Sequence, residues 1–154
     1  MQPFFVYTMK YAGGEITEPV PDMIPLRTEF DEQYLRIYNE CFYEMRRALD
    51  IRPYNVYACV QAFDEKRAHT FLLTDGETII GSVACCGMMI DDLIVNPQYR
   101  RMGYGKQLLT WAIRYLQMHG APEVMLQAAA WNQNAVQLYL QSGFVITEKI
   151  QIGG

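Results

Sequence analysis

The stretch "DDLIVNPQYRRMGYGKQLLTWAIRYL", residues 91–116, constrains this chain more than any other. An apolar strand run ends at Val95, and a turn carrying Arg100, Arg101, Gly103, Gly105 and Lys106 follows. Leu108, Leu109, Ala112, Ile113 and Leu116 then recur at helical spacing. Strand, turn and helix in that order set the helix's first unpaired N–H groups in the turn, at the positive end of the helix dipole. Two glycines remove side chains that would block close approach, and three cationic side chains ring the turn, a composition suited to phosphate. The usual nucleotide loops do not fit. A Walker loop needs Ser or Thr after Gly-Lys, where Gln107 stands, and a dinucleotide fingerprint needs Gly where Leu108 stands.

Around this stretch the pattern alternates. Phe4–Lys10 reads as a strand, residues 12–22 as an exposed Gly/Pro-rich connector, and Met23–Arg27 as a short strand. A helix is expected from Thr28 to about Arg47, and a second, short one in "NVYACVQAF", residues 55–63. "HTFLLT", an Asp75-Gly76 turn and "ETIIGSVACCG" read as a hairpin, with "MMIDDLIV" as the next strand. After the central helix come a strand in "EVMLQAA", a helix from Asn132 to Leu140 and a strand in "FVITEKI". This is one α/β domain over residues 1–154, with 51% hydrophobic residues supplying its core and residues 1–22 as an N-terminal extension.

Thirteen Lys and Arg against seventeen Asp and Glu give a net charge of −4, which argues against a nucleic-acid partner. The N-terminus lacks a signal-peptide pattern, and the longest nearly apolar stretch, residues 79–90, is too short to span a bilayer. A cytoplasmic protein with no membrane partner is expected. Cys41, Cys59, Cys85 and Cys86 have no CxxC spacing and only His69 and His119 beside them, so no metal is expected and the cysteines read as reduced, mostly buried thiols.

Arg100-x-x-Gly103-x-Gly105, preceded by "DDLIVNPQY" and followed by a helix and then "AAWNQNAVQLYLQSGF", resembles the GCN5-related N-acetyltransferase (GNAT) superfamily over residues 70–148. The resemblance implies a mixed, mostly antiparallel sheet flanked by helices, and acetyl-CoA as the acyl donor. It implies that the backbones of Leu93, Ile94 and Val95 hold the pantetheine arm and acyl carbonyl. Arg100, Arg101, Met102, Gly103, Tyr104, Gly105 and Lys106 would form the pyrophosphate loop, and Asn132 would lie on the pantetheine side.

Transfer to an amine needs a base, because a lysine-like amine with a pKa of about 10.4 is protonated at neutral pH. It also needs donors for the developing oxyanion and a proton for the departing thiolate. The resemblance places Tyr139 as the general acid. "DDLIV" with "WN" is similar to polyamine-type acetyltransferases, and Asp91 is the expected base. Strand alternation sends Asp91 and Asp92 to opposite faces, so that only one enters the cleft. Family members acting on peptide N-termini often carry a glutamate where this chain has Gln127, which favours a small cationic amine as acceptor. The alternative is a module that binds acyl-CoA without turnover.

The family ends in a two-strand hairpin, whereas "FVITEKIQIGG" offers one strand. Phe4–Lys10 is expected to fill the vacancy, in its own chain or exchanged within a homodimer. The segment "FYEMRRALDIRPYN", residues 42–55, is the expected acceptor loop, and its tyrosines, Glu44 and arginines leave the acceptor's charge open.

Overall fold

In the computed structural model, which describes residues 2–154, seven strands form one sheet in the order β2-β3-β4-β5-β6-β1-β7. The strands are β1 (Phe4–Tyr11), β2 (Ile24–Pro25), β3 (Thr70–Asp75), β4 (Thr78–Cys86), β5 (Met89–Val95), β6 (Met125–Ala129) and β7 (Phe144–Ile152). The helices are α1 (Asp31–Ala48), α2 (Asp64–Arg67), α3 (Tyr104–Met118) and α4 (Gln133–Gln141). All strand pairs are antiparallel except β5 with β6, giving the mixed, mostly antiparallel sheet that the sequence implied.

Two apolar layers sandwich the sheet. On one face α3 buries Leu109, Ala112, Ile113 and Leu116 against Met9, Val83, Ile90 and Leu126. On the other, Phe30, Tyr34, Ile37 and Tyr38 of the first helical segment pack with Tyr57 and Phe63 against Leu72, Ile79 and Ile94. Each fully buried Leu or Ile side chain contributes about 1.5–3 kcal/mol of burial, so these two layers hold the sheet between them.

Strand β1 lies between β6 and β7 in its own chain, running from Val6↔Ala129 to Lys10↔Met125 on one side and from Phe4↔Ile152 to Tyr11↔Phe144 on the other. It is a central strand, with Met9 fully buried. The connector after it crosses α3, where Gln117 accepts from the Ile16 amide at 3.0 Å and donates to Gly14 O at 3.1 Å. The connector is exposed in most places, but Ile16 packs into the core beneath it.

Three expectations need correction. The second short helix starts five residues later than expected, with a 3-10 turn at Val60–Phe63 in the last part of residues 55–63 and α2 beyond it, because the acidic pair Asp64 and Glu65 opens a turn that Lys66 and Arg67 close. Cys59 and Cys86 are exposed, and only Cys85 is buried. The third concerns Asp91 and Asp92, whose side chains share a face. Among the described residues no helix is long and apolar enough to cross a membrane.

Candidate active site

The parallel ladder between β5 and β6 is two pairs long, Met89↔Met125 and Ile90↔Leu126. Beyond it the two strands fork. β6 stays with β1 through Ala129, and β5 stays with β4 through Val95. The Asn96 amide donates to Ile80 O at 2.8 Å. Antiparallel alternation therefore turns the backbone groups of Ile94 toward β4 and those of Leu93 and Val95 toward the fork. The Val95 carbonyl also accepts the Cys41 thiol at 3.3 Å.

At the end of β5, Asn96 sets the turn. It is buried, its carboxamide donates to Ile79 O at 2.9 Å, and its oxygen accepts from the Gln98 amide at 3.1 Å. Arg101 and Gly103 then take left-handed conformations, at φ 64° and 83°. The first amide paired into α3 is that of Gln107, bonded to Gly103 O at 3.3 Å. The amides of Arg101 to Lys106 donate to no acceptor among the described residues, leaving a nest of free N–H groups at the positive end of a fifteen-residue helix. Arg100 is directed elsewhere, its guanidinium 4.0 Å from Cys41 Sγ on α1. A Cβ on Gly105 would meet Leu138 Cδ2 at 3.4 Å and Val95 Cγ2 at 4.0 Å, so this glycine lies where α3, α4 and the end of β5 meet.

Tyr139 on α4 is buried, with its ring 6.1 Å from that of Phe144 in an edge-on arrangement. Its hydroxyl makes no hydrogen bond among the described residues. Burial, and after it the charge of Asp91, pushes it up to about 12, so it keeps its proton through neutral pH. Asn132 accepts from the Ala135 amide at 3.3 Å and caps α4, leaving its NH2 group without a partner among the described residues. Gln127 donates to Thr8 Oγ1 of β1 at 3.3 Å, which brings the N-terminal strand to the side of the fork.

Asp91 is the first residue beyond the β5–β6 ladder. Ser82↔Ile94 and Ala84↔Asp91 are successive pairs with Val83 alone facing Asp92 and Leu93, a bulge with Asp92 at φ 49°. Asp is among the residues that tolerate the left-handed region. The bulge cancels the alternation, and both carboxylates converge on Lys66 of α2, whose Nζ lies 3.1 Å from Asp91 Oδ2 and 2.8 Å from Asp92 Oδ2. The Tyr38 hydroxyl donates to Asp92 Oδ1 at 2.8 Å. Burial, and then the Asp91 charge, raises the Asp92 carboxyl above the ordinary carboxylate range, although Lys66 and Tyr38 pull it back. Burial alone would lower the Lys66 ammonium, but the two carboxylates outweigh it and the net direction is up. Sequence reading missed Lys66 and Tyr38, because "DEKR" looks like a solvated turn and Tyr38 like one more aromatic on an apolar helix face. Two open hollows of about 740 and 670 Å³ flank α1; the first reaches Asn96 and Gln98 at the start of the turn, and neither is lined by Asp91–Val95 or by Arg101–Lys106.

Residues 26–144 match the model of the acetyltransferase (GNAT) family. The chain belongs to this family. Over 107 residues it is 29% identical to N-alpha-acetyltransferase 30 of Xenopus laevis, an alignment that takes in 64% of this chain and 39% of that protein. The chain thus spans less than two-fifths of the length of that relative. Among solved structures it is similar to a GNAT-family acetyltransferase from Colwellia psychrerythraea, with a TM-score of 0.76 and 14% identity over 98% of this chain and 56% of that one. A GCN5-related N-acetyltransferase from Rhodopseudomonas palustris aligns at a TM-score of 0.62 and 22% identity, over 88% of each chain. At these identities the structural likenesses speak for the GNAT fold.

Proposed function

We propose that this GNAT chain transfers an acetyl group from acetyl-CoA directly to a primary amine within a ternary complex, with a small cationic amine as the acceptor. The observation that carries the reading is the fork at Asp91, which leads along the backbone of Leu93 and the Val95 amide to the unpaired amides of Arg101–Lys106. A pyrophosphate fits that nest, with the Lys106 side chain beside it. A pantetheine arm hydrogen-bonds as a peptide strand does, and an open strand edge suits it.

Each catalytic role follows from the local chemistry. Asp91, with its exposed carboxylate, takes the proton from the acceptor ammonium, directly or through a water. The freed amine attacks the thioester carbonyl carbon, forming the C–N bond. The Val95 N–H meets the negative charge that develops on the carbonyl oxygen. As the C–S bond breaks, the Tyr139 hydroxyl donates to the sulfur, and the second proton that the nitrogen loses on becoming an amide returns to the Tyr139 oxygen through water. Asp91, Asp92 and the absence of a carboxylate at Gln127 favour a small cation. A second reading, transfer to a peptide N-terminus, is favoured by the similarity to N-alpha-acetyltransferase 30.

The test is mass spectrometry of products from acetyl-CoA with polyamines, aminoglycosides, amino acids and peptides, comparing wild type with Tyr139→Phe. Product from the polyamine or aminoglycoside class, strongly reduced in the variant, is the expected result. Product from peptides alone moves the acceptor to the second reading. Binding of acetyl-CoA with no product from any amine contradicts transfer and leaves an acyl-CoA-binding module.

A further inference from the structure

Lys66 ends where a solvated lysine would not. Its side chain is 43% exposed and enters from the surface, yet its ammonium rests on the Asp92 carboxylate, whose side chain is 8% exposed. Asp92 Oδ1 is held by Tyr38, and among the described residues Lys66 is the only hydrogen-bond donor to Asp92 Oδ2. The second contact of the same ammonium is with Asp91, the first residue of the fork. The neighbouring cation, Arg67, does not compete for the pair. It makes a two-pronged pair with Asp31 of α1, at 2.7 and 2.8 Å, and reaches Asp64 at 3.2 Å. That pair ties α2 to α1, so Lys66 leaves the carboxylates by rotating its own flexible stem while α2 stays in place.

A lysine tip is a –CH2–NH3+ group, the same group that a primary-amine acceptor presents. We propose that Lys66 is a specificity-determining residue: its ammonium occupies the seat between the Asp91 and Asp92 carboxylates that the acceptor's ammonium takes, and an acceptor binds by displacing it. The inference rests on the amine-acetylation reading above and deepens it. The seat suits a primary alkylammonium, because Tyr38 engages Asp92 Oδ1 and the alkylammonium tip of Lys66 already rests on Oδ2. Until an acceptor arrives, Lys66 keeps the buried carboxylate paired, since an unpaired buried charge is strongly destabilising.

The experiment is calorimetry on the full chain in wild type, Lys66→Met and Lys66→Gln. The probes are butane-1,4-diamine, spermidine, glycinamide and trialanine amide, each titrated alone, with acetyl-CoA as a separate control. Lys66→Gln keeps a donor for Asp92 Oδ2 and guards the test should Lys66→Met fold poorly. At least one ammonium probe is expected to bind tighter in both folded variants by on the order of tenfold, the scale of a partly desolvated charged contact. Acetyl-CoA affinity stays as in wild type, and the Michaelis constant of any probe that forms product falls by a like factor. Equal or weaker binding of every probe in the variants, or a raised Michaelis constant with a lowered kcat, overturns the inference. The two readings fail separately. Product formation with unchanged probe affinities removes the seat and keeps the transfer, whereas tighter probe binding with no product from wild type removes the transfer and keeps the seat.

Discussion

The two sides of the fork are built on opposite plans. On the proposed donor side, residues 93–106 are contiguous in the chain and offer unpaired backbone groups, from Leu93 and the Val95 amide to the amides of Arg101–Lys106. On the proposed acceptor side, Tyr38, Lys66, Asp91 and Asp92 come from three separate elements, and their polar atoms are engaged with one another. A cofactor common to a family is met by a local device that glycine and a helix terminus suffice to make. An acceptor particular to one protein is met by side chains that only the tertiary fold assembles, and those side chains need partners while the site is empty.

The contrast is broken most severely by filling the donor side. Gly105→Leu pushes a side chain between Leu138 and Val95, and overpacking of this kind costs about 1–3 kcal/mol. Acetyl-CoA affinity is expected to fall by up to roughly a hundredfold, with binding of ammonium probes unaltered, as calorimetry will read. Tyr139→Phe separates chemistry from binding. A fall in kcat of about a hundredfold at unchanged acetyl-CoA affinity is expected, and single-turnover kinetics measure it.

On the acceptor side the effects are those of stability. Tyr38→Phe leaves Asp92 Oδ1 without its donor and is expected to cost about 1–3 kcal/mol in denaturant unfolding. The smallest effect is one of pH. The Asp92 carboxyl is raised in the folded state, so the folded chain binds more protons than the unfolded one between the ordinary carboxylate pKa and the raised value. The contribution of Asp92 to stability therefore declines as pH rises through that window. Asp92→Asn removes this dependence, so its stability relative to wild type is expected to increase from pH 4 upward, in unfolding curves recorded at pH 4 to 8.

What was legible in the sequence follows the same division. Hydrophobic period, the Asp75-Gly76 turn and the glycines of residues 103–105 located the hairpin, α3 and the glycine-rich turn before it, because each is decided within a few residues. The place of Phe4–Lys10 was legible too, as a strand sought by a sheet with a gap, and β1 fills that gap in its own chain. The convergence of Asp91 and Asp92 was not. Simple alternation separates them, and the bulge that reunites them depends on the register between β4 and β5, which no local pattern encodes. Lys66 was hidden for the same reason: its partners lie 25 and 26 residues away along the chain.

The central claim is that the fork and its turn hold the donor. Amide hydrogen exchange with and without acetyl-CoA tests it most directly. Added protection at Leu93, Val95 and Arg101–Lys106, with the exposed face of α1 unchanged, is the predicted result. Protection confined to the α1 hollows around Leu35, Asn39 and Tyr57, or none at the turn, would contradict it.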